Sequence, residues 1–350
     1  MANNDLTLFE FFAGGGMARL GLSAAWNCRF ANDWSEKKAE SYRTYFGPSP
    51  ELLVQDVAKV TTSDLPGKPD LVWASFPCQD LSLAGNYEGL QGIRSGTFRP
   101  FWALIQGLVA EGRKPLIIVL ENVLGTLTSH AGKDFEVIVR LMATAGYCVG
   151  ALVIDAVRFI PQSRPRLFVV AVSEEREIFA LKRKDPSKSW HPRTLVGAYE
   201  RLPDALKRRW VFWNLPEPPG RTLLLSELIE EEPTGVKWHS PAETKRLLSL
   251  MSDLNREKVL DAQRSGVRKV GTVYKRMRPV KSDAGRPVGK VQRAEVRFDN
   301  ISGCLRTPAG GSSRQTILIV EGKNVRSRLL SPREAARLMG VPDQYPIPRN

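Results

Sequence analysis

Through about Ser173 the sequence alternates short apolar runs with amphipathic stretches, and that alternation restricts the architecture more than any other feature. Apolar runs of strand length that alternate with helical periods build a parallel sheet with helices on both faces, an α/β fold. Strands are expected at Leu6 to Phe12, Cys28 to Asn32, Leu71 to Ser75, Leu116 to Leu120, Val149 to Asp155 and Leu167 to Val172. Helices are expected at Ala18 to Ala25, Ser35 to Tyr45, Phe98 to Glu111 and Phe135 to Ala145. Residues 1–173 form one domain on this reading.

From Glu174 to about Asn300 the texture changes. Pro and Gly become frequent, tryptophans stand at 190, 210, 213 and 238, and a cationic cluster runs from Arg264 to Arg297. Residues 174–300 are therefore expected to form a smaller, irregular domain, its basic run a phosphate-contacting surface. In the remaining segment, 301–350, Ser331-Pro332-Arg333-Glu334 reads as an N-cap, a proline in the first turn and an acid, opening a helix that ends at Gly340.

Cys28, Cys78, Cys148 and Cys304 are far apart and share no metal-ligand spacing with His130, His191 or His239, so neither a disulfide framework nor a metal site is expected. No signal peptide or membrane-length apolar run is legible, and a soluble, cytoplasmic protein is expected. The formal net charge of +14 suits a polyanionic partner.

Chemistry-bearing residues cluster where strands should end. Phe12-Ala13-Gly14-Gly15-Gly16 follows the first strand, letting the backbone turn sharply and approach a ligand; alone it does not choose between NAD, phosphate and S-adenosylmethionine. Asp33-Trp34 at the end of the second strand offers a carboxylate for a ribose diol and an aromatic face for adenine, which favours an adenosyl cofactor. Asp56 could accept from an exocyclic adenine amine. Cys78 follows Phe76-Pro77 in an exposed turn, the setting of a reactive thiol. Glu121-Asn122-Val123 ends another strand, where a carboxyl raised in pKa by burial could hold or donate a proton. Arg164 and Arg166 alternate on entry to a strand and should present two guanidinium forks on one face.

Together Phe-Pro-Cys-Gln at 76–79, Glu-Asn-Val at 121–123 and Gln-Ser-Arg-Pro-Arg at 162–166 resemble the cytosine-5 DNA methyltransferase family of bacterial restriction-modification systems. The resemblance covers the first half through Phe168 and again from about Ile301. It implies the Rossmann-like S-adenosylmethionine-dependent fold, a target-recognition domain at 174–300, and a return segment, 301–350, packing on the catalytic domain. It implies Cys78 as nucleophile on C6 of a flipped cytosine, with Glu121, Arg164 and Arg166 completing the catalytic set and Leu81 to Arg99 as a closing loop. Phe12, Gly14, Gly16, Asp33, Trp34, Asp56 and Pro77 would line the cofactor pocket, and Gln79, Ser82, Asn122 and Gln162 would contact the substrate. The implied partner is duplex DNA, met by a monomer, with a cognate restriction endonuclease encoded alongside.

The chain departs from the family pattern at its end. A further segment with a Gly-Asn-Ser-like turn is missing after Pro348-Arg349-Asn350. One alternative follows from this, a catalytically incomplete or split enzyme that binds DNA and needs a second polypeptide. A separate one is a tRNA cytosine-5 methyltransferase, since one branch of the family acts on tRNA, although its Cys-Phe-Thr signature is not found here.

Overall fold

The structure is a computed structural model describing residues 6–77, 96–281, 287–306 and 314–347. The described residues divide into two compact units. The first runs to Ile154 and resumes with Pro165–Glu217; the second takes Asp155–Arg164 and the residues from Pro218 onward.

In the first unit seven strands form one sheet: β1 (Thr7–Phe11), β2 (Asn27–Asp33), β3 (Leu52–Val54), β4 (Leu71–Ala74), β5 (Ile117–Asn122), β6 (Tyr147–Asp155) and β7 (Pro165–Ser173), in the order β3-β2-β1-β4-β5-β7-β6. The first five pair in parallel, and β7 runs antiparallel to β5. Helices α1 (Met17–Leu22), α2 (Glu36–Phe46), α3 (Phe98–Ala110) and α4 (Lys133–Thr144) connect them. β1 explains the packing. Phe9 and Phe11 bury one face against Phe98 and Phe101 of α3, while Leu8 joins a second cluster with Ala39 and Tyr42 of α2. Buried on both faces, a parallel strand reads as a near-continuous apolar run.

The six expected strands and the mostly parallel α/β sheet are present. The short β3 was not expected, because three residues carry too little periodicity to announce a strand. Helix α1 stops at Leu22, and Ser23, at φ 60°, breaks the expected run to Ala25 into a single 3₁₀ turn.

The expected boundary at 173 also moves. β8 (Lys182–Arg183), β9 (Phe212–Trp213), α5 (Arg193–Glu200) and α6 (Asp204–Lys207) belong to the first unit because β6 is an edge strand that needs covering. Val149 N–H donates to Arg209 O at 2.9 Å, Val211 N–H donates to Val149 O at 2.8 Å, and Trp190, Val211 and Trp213 bury against Leu152 and Val172. Gly150 permits this approach: a Cβ there would lie 2.0 Å from Val211 O.

The second unit contains α7 (Leu225–Leu228), α8 (Pro241–Ser249), α9 (Asp253–Arg264) and an antiparallel sheet ordered β11-β10-β12-β13, formed by β10 (Lys269–Lys281), β11 (Pro287–Arg297), β12 (Thr316–Glu321) and β13 (Asn324–Leu329). The return segment thus supplies two strands of this sheet, then α10 (Pro332–Arg337). Its start is capped as expected, with Ser331 and Glu334 in a reciprocal capping box.

Glu334 has a second duty. Arg328 and Glu334 are fully buried and joined twice, Nη1 to Oε2 at 2.8 Å and Nη2 to Oε1 at 2.6 Å. Burial pushes the Glu334 carboxyl up, but Arg328 and the N–H groups of Ser331 and Glu230 outweigh it and hold the group below its ordinary value. Arg328→Ala would leave that carboxylate buried without its cation. It is expected to lower stability by about 3–5 kcal/mol in urea unfolding; a loss under about 1 kcal/mol would mean the pair breaks even with solvent.

Candidate active site

Because β3, β2, β1, β4 and β5 are adjacent and parallel, their carboxyl ends lie along one edge of the sheet. Nearly every candidate residue of the first unit follows one of those ends, as ligand sites do in open α/β sheets.

After β1 the chain turns through three left-handed residues, Phe12 at φ 58°, Gly14 at 59° and Gly16 at 77°. The turn is tied to β2. Ala13 N–H donates to Asn32 O and Gly14 N–H to Asp33 Oδ2, both at 2.9 Å. The buried Asp33 also accepts from Ser35 N–H at 2.9 Å through Oδ1 and lies 3.4 Å from Lys38 Nζ. Gly16 is demanded by space as well as by φ, since a Cβ there would meet the Phe46 ring at 2.4 Å. Trp34, next to Asp33, is 74% exposed and presents a bare indole. Asp56 follows β3, is exposed and accepts from Ala58 N–H at 2.9 Å; Pro77 follows β4 and is exposed.

Glu10 was missed by the sequence reading. It sits on β1, 2% exposed, and its Oε2 has no hydrogen-bond partner. Its signal was legible: an acid inside the apolar run Leu-Phe-Glu-Phe-Phe of a two-face-buried strand is an anomaly. Burial raises its pKa from 4.5 to about 7, against the opposing backbone hydrogen bonds of Arg19 and Ala18. A carboxyl whose folded value exceeds its unfolded one adds stability in full below pH 4.5, and that contribution is lost as pH rises through about 7. Wild type should therefore lose about 3 kcal/mol across this window that Glu10→Gln does not lose, measured by urea unfolding at each pH. Identical pH slopes for the two proteins would rule out Glu10 as the source.

At the end of β5, Glu121 Oε1 is 3.0 Å from Arg166 Nε. The antiparallel course of β7 causes this meeting, because it returns the start of β7 to the finish of β5, pairing Glu121 with Phe168 and Asn122 with Leu167. Glu121 is not the deeply buried carboxyl expected: its side chain is 22% exposed and ion-paired. Asn122 is spent inside the protein, its Nδ2 donating to Phe76 O at 3.2 Å and its Oδ1 accepting from Val123 N–H at 2.8 Å. It anchors the segment leading out of β4 rather than offering its amide to a substrate. Cys78, Gln79 and Ser82 lie outside the described residues, as do residues 81–95 of the expected closing loop, Leu81 to Arg99, whose last two residues open helix α3.

Arg164 and Gln162 belong to the second unit. Arg164 precedes β7, so strand alternation does not govern it, and the expected two forks on one face are not formed. Its N–H donates to Asp155 Oδ1 at 2.7 Å and its Nη1 to Leu305 O at 3.3 Å, whereas Arg166 turns to Glu121. Gln162 is fully buried: Nε2 donates to Leu338 O and Oε1 accepts from Leu305 N–H at 3.1 Å. Both ends of its amide are thereby engaged within the protein, which makes it a tether of that unit.

The left-handed turn, the exposed indole of Trp34, the exposed carboxylate of Asp56 and the unpartnered oxygen of Glu10 fit a ligand that joins an adenosine to a cationic tail. S-adenosylmethionine is such a ligand.

The family model described as C-5 cytosine-specific DNA methylase matches residues 6–350. The Type II methyltransferase M.HhaI of Haemophilus parahaemolyticus is 25% identical over 344 residues, covering 98% of this chain and 86% of that protein. The Type II methyltransferase M.BsuFI of Bacillus subtilis is 33% identical over 167 residues, which span 47% of this chain and 39% of the relative. Among solved structures, the Dnmt2 methyltransferase of S. pombe superposes with a TM-score of 0.54 at 17% identity, covering 98% of this chain and 88% of that one, a likeness of fold.

Proposed function

The chain belongs to the C-5 cytosine-specific DNA methylase family, and on that premise we propose that it methylates C5 of cytosine in a specific duplex DNA sequence, through a covalent adduct between Cys78 and a flipped base. The observation that carries this reading is the Glu121–Arg166 pair at the sheet edge where the Phe-Pro-Cys-Gln segment leaves β4.

C5 of cytosine is a poor nucleophile. Addition of the Cys78 thiolate to C6 breaks the C5–C6 double bond and moves its electrons to C5. Glu121 holds N3 and the 4-amino group, where charge would otherwise build up, and Arg166 orients Glu121 and holds O2. S-adenosylmethionine, when bound among Phe12, Gly14, Gly16, Asp33, Trp34 and Asp56, supplies an electrophilic methyl group. Once that electron pair on C5 has taken up the methyl group, loss of the C5 proton to solvent re-forms the C5–C6 double bond and expels Cys78 as thiolate. Asn122, through Phe76 O, keeps the start of the cysteine segment on the sheet. Arg164 acts at one remove, fixing residues 304–305 of the second unit. None of this can happen inside a stacked duplex, so the base must be extruded. The second unit would read the sequence, in a cytoplasmic protein that acts as a monomer.

The test is incubation with radiolabelled S-adenosylmethionine and either unmethylated duplex DNA or transfer RNA, followed by bisulfite mapping. Methyl groups at C5 within one short DNA motif are expected. Transfer to RNA alone would replace the substrate, and DNA binding with no transfer would make the chain a binding subunit.

A further inference from the structure

The two strands that carry most of the basic run do not end with their sheet. β10 pairs with β12 only as far as Val273↔Thr316, but its pairing with β11 continues to Val280↔Gly289. From Tyr274 outward the two strands form a ribbon, about 20 Å long at the usual rise per residue. Its root is firm. The Tyr274 hydroxyl packs so closely on Gly303 that a Cβ there would lie 2.1 Å away. The ribbon also borders a groove of about 1000 Å³ that includes Lys258, Asn255 and Arg306.

Alternation puts Tyr274, Arg276 and Arg278 on one face, where the register adds Arg293 opposite Arg276 and Glu295 opposite Tyr274. Glu295 is the only acid among the described side chains from Tyr274 to Val280 and Val288 to Arg297. Both Nε, at 2.5 Å, and Nη2 of Arg278 donate to its Oε1, and Arg276 Nε lies 3.7 Å from its Oε2. Lys275 and Lys290 carry the opposite alternation.

A carboxylate held between two guanidiniums is a poor companion for a phosphate, which it repels. It suits a base edge, because it holds an arginine fork in one orientation and lowers the entropy cost of a bidentate contact. The carboxylate occupies the Nε–Nη2 side of Arg278, leaving the Nη1–Nη2 end of the fork clear of it. That end matches O6 and N7 of guanine. The major groove of B-DNA, roughly 12 Å wide, admits a two-stranded ribbon; the narrow major groove of A-form RNA does not.

Resting on the DNA methyltransferase reading above, we propose that the β10–β11 ribbon lies in the DNA major groove with its Arg276, Arg278 and Arg293 face on the base edges, and that Arg278, positioned by Glu295, reads one guanine of the target. Arg278 is a specificity-determining residue and Glu295 a positioning residue.

The experiment compares wild type, Arg278→Ala and Glu295→Gln on duplex libraries randomised at each position around the methylated cytosine. It reads both binding selection and methylation, and repeats binding across salt concentrations. Arg278→Ala is expected to lose discrimination for guanine at one position by roughly 5- to 150-fold while the salt dependence barely changes. Glu295→Gln should relax that same position by less. If Arg278→Ala weakens every sequence equally and reduces the slope of log affinity against log salt by about 0.9, it contacts a phosphate and the proposal fails. Equal binding to an RNA duplex of the same sequence would also overturn it. The parent reading fails separately, when wild type neither selects nor methylates any duplex.

Discussion

Cys78→Ala is expected to abolish methyl transfer, a fall on the order of 10⁶-fold, the scale seen when an enzyme loses its nucleophile. Nothing else in the candidate set can replace it, because activation of C5 requires electron density delivered at C6, and the carboxylate and guanidinium groups at the β5 end are acceptors and donors of hydrogen bonds. Binding should survive: apart from Pro77, the cofactor candidates lie at or just after the ends of β1, β2 and β3, and the β4 end is fixed by Asn122 through Phe76 O. A duplex with fluorine at C5 of the target supplies a second arm. With no C5 proton to lose, the wild-type adduct cannot eliminate and should persist as a protein–DNA band in denaturing gels, absent for Cys78→Ala. Residual turnover in the alanine variant above one part in roughly 10⁴ would remove Cys78 from the role of nucleophile.

Glu121→Gln has the next largest expected effect, a drop in kcat of roughly 10²- to 10⁴-fold, the range for removing a positioned acid or base. The amide keeps the shape of the carboxyl but cannot supply a proton or carry the charge that matches N3 and the 4-amino group as the adduct forms. Affinity for DNA should change little. The fold should also tolerate the change, since glutamine keeps the shape of the side chain and an oxygen that can accept from Arg166 Nε. Single-turnover rates beside thermal unfolding would separate the two effects. A drop under tenfold would reduce Glu121 to a strut for Arg166.

Much of the site was legible because its residues are encoded locally. Glycines directly after an apolar run mark a turn off a strand, Asp33-Trp34 and Glu121-Asn122 mark strand ends, and Ser331-Pro332-Arg333-Glu334 marks a helix start. Each signal spans a few residues and follows from side-chain period and backbone freedom. The parallel sheet was legible for the same reason, because strands buried on both faces leave near-continuous apolar runs.

Partnership between distant residues was not encoded in that way. The spacing of Arg164 and Arg166 suggests one shared face, yet one precedes the strand and the other meets Glu121 because β7 pairs antiparallel with β5. Gln162 reads as a polar contact for a base and is instead buried between Leu305 and Leu338. Glu10 is one acid in a strand until β1 pairs with β2 and β4 on either side and backbone N–H groups of α1 meet its carboxyl. The first unit extends beyond residue 173 because residues 190–213 cover the edge strand β6, and the ribbon stands out because β12 stops pairing at Val273. The sequence by itself determined six strands and four helices of the first 173 residues and which candidate residues stand at their ends, but not β3 or, apart from α10, the regular elements of the second unit. Strand order, pairing direction and burial of charge were decided by tertiary structure, because they depend on contacts between residues far apart in the chain, which no local period records.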